Sequence, residues 1–291
     1  MLSPNAQDSN IQGHYNRQGL DEAILAALTA AGKDISHLKL EDLAPVDEFH
    51  IRGREATREL ASQVKLSSNH KVLDVGSGVG GASRYLASEY GCQVIGLDLS
   101  DEYCRVAESF ANRLGLASLV TYRQGSALDM PFEDNSFDYA VFCLSLEFME
   151  DPKKALEEAC RVAKDGVFVG ILNKYAWIAF QRRIRGIFMT TVYNRARFFS
   201  INEIKSLLVG LLGPVPIDWQ TTAHFYPMSG PLIERFEGSR FARKSPFGAF
   251  AGIMATPVPR FRTQPLELKV PAKPIQANSR PVSCAEKKTE G

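Results

Sequence analysis

From position 71 the chain alternates between two kinds of apolar pattern. Short, dense, β-branched runs at 71–75, 93–97, 119–123, 137–143 and 166–172 read as buried strands. Between them, apolar positions recur at helical spacing over 80–89, 101–114 and 152–163. On 101–114 they are Tyr103, Val106, Ala107, Phe110 and Leu114, behind Ser100 as an N-cap. Pro152 suits a first helical position after Asp151. Strands alternating with helices predict an α/β fold, a parallel sheet with helices on both faces.

On either side of this block the rhythm differs. Before it, Leu20, Ile24, Leu28 and Ala31 predict a helix that stops at Gly32. Residues 37–43 read as a short ambiguous segment before Pro45, and 53–64 as a second helix carrying Ala56, Leu60 and Val64. After it, 174–188 is an aromatic and basic amphipathic stretch, and Ser200 to Glu203 is a capping-box pattern whose helix ends near Gly210. Runs at 215–222 and 250–255 read as closing strands, with 227–245 between them. The expected organisation is a helical N-terminal cap over 1–65 and a main domain over 66–260. A lid insertion is expected over about 174–245, and a disordered tail over 261–291.

Composition narrows the class only a little. Of 291 residues, 45% are hydrophobic and 23% charged, which suits an ordinary globular core. A net charge of +1 gives no global pull toward nucleic acid or an anionic surface. The cysteines, Cys92, Cys104, Cys143, Cys160 and Cys284, are odd in number and lack C-x-x-C spacing, so a reducing, cytoplasmic setting is expected. The first eighteen residues lack the apolar core of a secretory signal, and no run of eighteen apolar residues occurs. No His, Cys and carboxylate set has metal-ligand spacing, so no metal is expected.

The chemistry concentrates at Val72-Leu73-Asp74-Val75-Gly76-Ser77-Gly78-Val79-Gly80-Gly81, a strand running into a glycine turn that opens a helix. Glycines let backbone approach a ligand, and the helix start offers unpaired N–H groups. The next strand ends in Asp98, and a carboxylate there suits a ribose diol. A nicotinamide dinucleotide site has nearly the same layout. Three details favour S-adenosylmethionine. Asp74 lies in the strand itself, where it would repel a pyrophosphate but welcome a cationic amino-acid ligand. The turn has the spacing Gly76-x-Gly78-x-Gly80-Gly81. The third strand is followed by the block from Gly125 to Phe142, GSALDMPFEDNSFDYAVF.

The run from Phe49-His50-Ile51-Arg52-Gly53-Arg54-Glu55-Ala56-Thr57 through Asp98-Leu99-Ser100, together with that block, resembles class I methyltransferases. It is closest to the small-molecule branch of phosphoethanolamine, glycine/sarcosine and quinone-ring enzymes. The resemblance covers residues 46–172. It implies a Rossmann-like sheet, mostly parallel with an antiparallel last strand. It also implies roles. Asp74, Gly76, Ser77 and Gly78 line the methionine portion, Asp98 holds the ribose, and Leu99 lies against the adenine. Ser126 and Ala127 contact the adenine edge, although many members carry an acid where Ser126 stands. Cys143 approaches the sulfonium, and Phe49 and His50 close over the cofactor, with Tyr15 from the N-terminal segment.

The acceptor belongs where the fourth strand ends, beside Cys143 to Phe148, because ligands bind outside the carboxyl ends of parallel strands. Glu147 is the candidate base or ammonium ligand there, weighed against a carboxylate that merely pairs with a neighbour. The phosphoethanolamine branch uses a histidine close to Phe148, and this chain has none there. His14 and His224 read as structural or exposed, and Cys143 as a packing residue. Arg182, Arg183, Arg185, Arg195 and Arg197 fit either a substrate anion or a solvated helix face. The expected activity is methyl transfer to a small molecule, with nucleic acid excluded by the absence of an N-P-P-[YFW]-type motif. Two alternatives stay open. One is a membrane-associated quinone or lipid enzyme with peripheral contact through 174–188, and the other a non-catalytic cofactor-binding module.

Overall fold

In a computed structural model, residues 19–47, 58, 61–176, 196–225 and 230–257 are described. Seven strands form one sheet: β1 (Lys71–Val75), β2 (Gln93–Asp98), β3 (Val120–Gln124), β4 (Phe137–Cys143), β5 (Ala163–Leu172), β6 (Ile217–Thr222) and β7 (Phe250–Ala255). Their order is β3-β2-β1-β4-β5-β7-β6. The first five run parallel, and β7 lies antiparallel between β5 and β6. The sheet is the expected one, including its antiparallel end. The order reverses between β1 and β4, which opens a crevice at their carboxyl ends.

Period-two alternation divides the core into two layers. Leu73, Val75, Ala140, Phe142, Val167 and Val169 face α5 (Pro152–Val162) and α6 (Ile201–Leu212). Val72, Val94, Val120 and Val141 face α3 (Gly81–Tyr90), which contributes Tyr85, Leu86 and Ala87. Outside that layer, α1 (Leu20–Ala30) packs on α4 (Asp101–Arg113), and α2 (Leu40–Asp47) packs on α3 and α1. Ile24, Leu28 and Leu43 meet Val106 and Phe110 there, and Val79 of the glycine turn joins them.

The end signals of the sequence act as read. Ser100 accepts the Tyr103 N–H at 3.3 Å, Asp151 accepts the Lys154 N–H at 3.0 Å, and Ser200 with Glu203 closes a capping box. Several boundaries differ. Helix α2 occupies 40–47 and continues past Pro45, where the pattern suggested only a short segment. Helix α6 passes Gly210 and stops at Gly213, because Leu208 and its neighbours remain packed on the core for another turn. Strand β5 begins at Ala163 without a loop after α5, pairing with Phe137 through a register shift. The region 227–245 contains two short helices, α7 (Pro231–Glu237) and α8 (Arg240–Arg243). Within the expected insertion over 174–245, α6 and β6 are parts of the sheet sandwich. The expected helix over 53–64 and the tail over 261–291 lie wholly or mostly outside the described residues.

Candidate functional site

The glycine turn leaves β1 at the switch point and is bonded to the neighbouring strand. The N–H groups of Gly76 and Ser77 both donate to the Leu97 carbonyl, at 2.7 and 3.1 Å. Gly76, Gly78 and Gly80 all have positive φ, the left-handed region that favours glycine. Two of them are also needed for space. A Cβ on Gly76 would stand 2.6 Å from the Cβ of Ser145, and one on Gly80 would strike the Tyr122 ring. Gly78 differs, because a Cβ there would meet nothing within 4 Å. The turn thus presents open space at Gly78.

Asp98 closes the other side of that space. Its Oδ2 accepts the Gly78 N–H at 2.8 Å, and its Oδ1 accepts the Ser100 N–H at 2.9 Å. Burial raises its pKa, and the N–H groups of Ser100 and Gly78 oppose the rise. Each oxygen keeps a lone pair for a further donor. Asp74 is fully buried on the α3 side of β1. Its Oδ2 accepts the Ser83 hydroxyl at 2.6 Å, while its Oδ1 has no hydrogen-bond partner among the described residues. Burial pushes its carboxyl up to about 6, with the nearby Asp98 adding to the rise. The buried Ser77 hydroxyl likewise has no hydrogen-bond partner among the described residues.

Residues that sequence reading passed over hold the turn in shape. Arg84, fully buried on α3, donates through Nη1 to the Val79 carbonyl at 2.7 Å and to Ala107 at 3.3 Å, with Phe110 under its guanidinium. The Tyr122 hydroxyl donates to the Gly80 carbonyl at 3.3 Å. Arg161 on α5 secures the loop after β3. It donates to the carbonyls of Phe132 and Met130 and pairs with Asp134 and Glu158, while Glu158 accepts the Met130 N–H. An arginine on a helix reads as solvated surface, so only the long-range hydrogen bonds reveal these roles.

That loop begins where the Gly125 N–H meets the Asp98 carbonyl at 2.9 Å. In it Ser126 pairs with Asp129, and its hydroxyl oxygen accepts the Leu128 N–H at 3.1 Å, so its proton is left to donate elsewhere. Ala127 packs half-buried on the core, and Leu99 lies half-buried with its carbonyl taking the Gln124 amide at 3.2 Å.

Cys143 ends β4 half-buried against the α3-side core, and Leu144 after it has a φ of +59°, rare for a branched residue. The Ser145 hydroxyl then donates back to the Val75 carbonyl. Glu147 is 1% exposed. Its Oε1 accepts the Leu172 N–H at 2.6 Å, its carbonyl accepts the Arg197 N–H at 2.9 Å, and its Oε2 has no partner among the described residues. Burial pushes this carboxyl up to about 7 against the Leu172 N–H. The structure thus brings together Asp74, Gly76, Ser77, Gly78, Asp98, Leu99, Ser126, Ala127, Cys143 and Glu147 at one sheet edge. Tyr15 and His50 lie outside the described residues. Among the described residues no group of three or more His, Cys, Asp or Glu could hold a metal.

Residues 73–171 match a family model described as a methyltransferase domain. The ajmaline N-methyltransferase of Rauvolfia serpentina is 37% identical over 102 residues, 35% of either chain. The chloroplastic tocopherol O-methyltransferase of Arabidopsis thaliana is 44% identical over 96 residues, 33% of this chain and 28% of that one. The chain spans about a third of the length of these curated relatives. The fold is similar to that of phosphoethanolamine N-methyltransferase 2 from Haemonchus contortus, solved in complex with S-adenosylmethionine. The TM-score is 0.58 at 17% identity, over 85% of this chain and 60% of that one. Over residues 73–171 the chain is therefore similar to a methyltransferase domain, and its sheet has the Rossmann-like class I methyltransferase order, a class whose methyl donor is S-adenosylmethionine. The open space at Gly78, the buried unpartnered oxygens of Asp74 and Ser77, and the fixed Asp98 carboxylate fit that molecule's cationic, hydroxyl-bearing chemistry.

Proposed function

We propose that the protein transfers the methyl group of S-adenosylmethionine to a small-molecule acceptor by in-line displacement. The observation that carries this reading is the Asp98 carboxylate, fixed by the Gly78 N–H beside the open turn. The cofactor supplies an activated methyl group, so the chain's task is alignment and exclusion of water. In this reading Asp98 accepts from the ribose hydroxyls and Leu99 covers the adenine. Ser126 and Ala127 meet the adenine edge, with the Ser126 proton available to donate. Asp74, Gly76, Ser77 and Gly78 surround the methionine portion, and Cys143 borders the reacting methyl. The segment around His50, with Tyr15, closes the site as part of the helical cap over 1–65.

Glu147 serves the acceptor end, as a base where the acceptor must lose a proton or as a partner for an acceptor ammonium. Its unpartnered Oε2 supports that role. The relatives are named for N-methylation of ajmaline and O-methylation of tocopherol, which favours an organic small molecule here without choosing the atom. Peripheral contact through 174–188 rests on residues of which only 174–176 are described. No helix among the described residues is long and apolar enough to cross a membrane. The four described cysteines are free, which supports a cytoplasmic setting.

The test is to incubate the full chain with methyl-labelled S-adenosylmethionine and a metabolite extract, and to find the labelled product by mass. Asp98→Ala should abolish labelling and weaken cofactor binding by about 2 kcal/mol, about thirtyfold in Kd. Cofactor binding without any labelled product would instead support the non-catalytic module.

A further inference from the structure

Five of the seven large hydrophobic side chains most exposed among the described residues belong to one part of the fold. They are Tyr175, Phe225, Leu232, Phe241 and Phe247, with Leu232 83% and Phe241 78% exposed. All lie on connections that meet one sheet edge. Leu172 ends β5 opposite Phe250, and Thr222 ends β6 opposite the same residue. The segment 223–249 therefore leaves and rejoins the sheet at the edge that also holds the glycine turn, Asp98 and Glu147. The apolar side chains are continuous. The Phe225 and Phe236 rings meet edge-on at 5.3 Å, and Phe236 and Phe241 at 6.4 Å, while Leu232 stands one helical turn before Phe236.

Several hydrogen-bonding groups of this segment face inward instead. Glu237 accepts the N–H groups of Ala223 and Phe225, and the Thr221 hydroxyl binds the carbonyls of Ala242 and Ser245. The Asn173 amide donates to the carbonyls of Pro246 and Gly248 at 2.7 and 2.8 Å. The segment is thus bonded to the sheet through its polar atoms and shows its largest apolar atoms to water, the reverse of an ordinary surface loop. Its charge is net basic, with Arg235, Arg240, Arg243 and Lys244 against Glu234 and Glu237. Arg235, Arg240 and Arg243 are exposed, and none makes an ion pair among the described residues. The neighbouring connection has the same sign, since 174–197 contains six basic residues and no acidic one, and its ends meet at this edge where Asn173 bridges Phe199.

We propose that this face, Phe225, Leu232, Phe236 and Phe241 with Arg235 and Arg240, docks the protein on an anionic lipid surface. Apolar side chains enter the interface while arginines engage lipid phosphates, and each force reinforces the other. The excess of basic over acidic residues, four to two in 223–249 and six to none in 174–197, is complementary to anionic lipid headgroups. Resting on the methyl-transfer reading, docking would turn the site's edge toward the bilayer and favour an acceptor that partitions into lipid.

Vesicle flotation of the full chain tests this, with phosphatidylcholine alone and with added phosphatidylglycerol, alongside calorimetric S-adenosylmethionine binding. The expected result is strong flotation with the anionic vesicles only. Leu232→Ser with Phe241→Ser, and separately Arg235→Glu with Arg240→Glu, should each weaken partition about tenfold or more at unchanged cofactor affinity. No flotation, undiminished flotation of both variants, or a dimer that the Ser variant dissolves would overturn the proposal. Anionic flotation by a wild type that does not bind the cofactor would uphold docking and remove the methyl-transfer reading instead.

Discussion

The Glu147 carboxylate accepts the Leu172 N–H at 2.6 Å and so joins the turn after β4 to the last residue of β5. One buried side chain holds two neighbouring strand ends together. Its position also makes stability depend on pH. Its folded pKa, about 7, lies above its ordinary 4.5. Below about 4.5 the group is protonated in both states and costs nothing. As pH rises toward 7 the unfolded chain loses its proton first, so stability falls by about 3 kcal/mol through this group. Glu147→Gln should flatten that part of the pH–stability curve in denaturant titrations. It should also lower kcat at least tenfold with KM little changed if the carboxylate acts as a base. An unchanged pH slope would contradict the buried, raised carboxyl.

Asp74 leads to a different pH effect, on binding. With its carboxyl near 6, it is largely neutral at pH 5 and ionised at pH 7. A cationic ligand prefers the ionised form, so S-adenosylmethionine affinity should rise across that interval. Asp74→Asn should bind more weakly at pH 7 and show no such rise. Calorimetry at both pH values decides this, and an affinity that falls with pH would rule out a direct role for the charge.

Gly76 and Gly78 should separate when each becomes Ala. Gly76→Ala places a Cβ 2.6 Å from that of Ser145 at a φ of +73°, and should cost about 2 kcal/mol of stability or more. Gly78→Ala meets open space and should cost about 1 kcal/mol through its positive φ alone. It should nevertheless weaken cofactor binding more than tenfold, because the space it fills is the ligand's. Thermal melts and binding isotherms on the pair provide the comparison.

Arg84→Met should keep the helix and its bulk but leave the Val79 and Ala107 carbonyls without their donor. The expected loss is about 2 kcal/mol. Looser cofactor binding should accompany it, because Val79 lies between Gly78 and Gly80. A fully stable variant with native affinity would show that the turn keeps its shape without the arginine.

The strand–turn–helix unit from Lys71 to Tyr90 was legible because its information is local. Dense β-branched positions mark a buried strand, glycines mark a turn with positive φ, and Asp98 follows at the end of the next strand. The caps at Ser100, Asp151 and Ser200 are local in the same way. Two boundaries depend on distant partners. Helix α2 forms where Leu43 is buried in one cluster with Ile24, Leu28 and Phe110. Helix α6 passes Gly210 because Leu211 and Leu212 beyond it pack on the core.

From its sequence alone the protein determines a parallel α/β sheet, the glycine turn at Gly76 to Gly81, and an acid at Asp98 suited to S-adenosylmethionine. These follow from periodicity and from residue types that tolerate few backbone conformations. Only tertiary structure decides that Arg84 and Arg161 brace the turn and the loop after β3, that Glu147 is buried against Leu172, and that the exposed apolar side chains between Phe225 and Phe247 share their edge with the site. Burial and long-range hydrogen bonding depend on which strands become neighbours, and sheet order is a property of the folded chain.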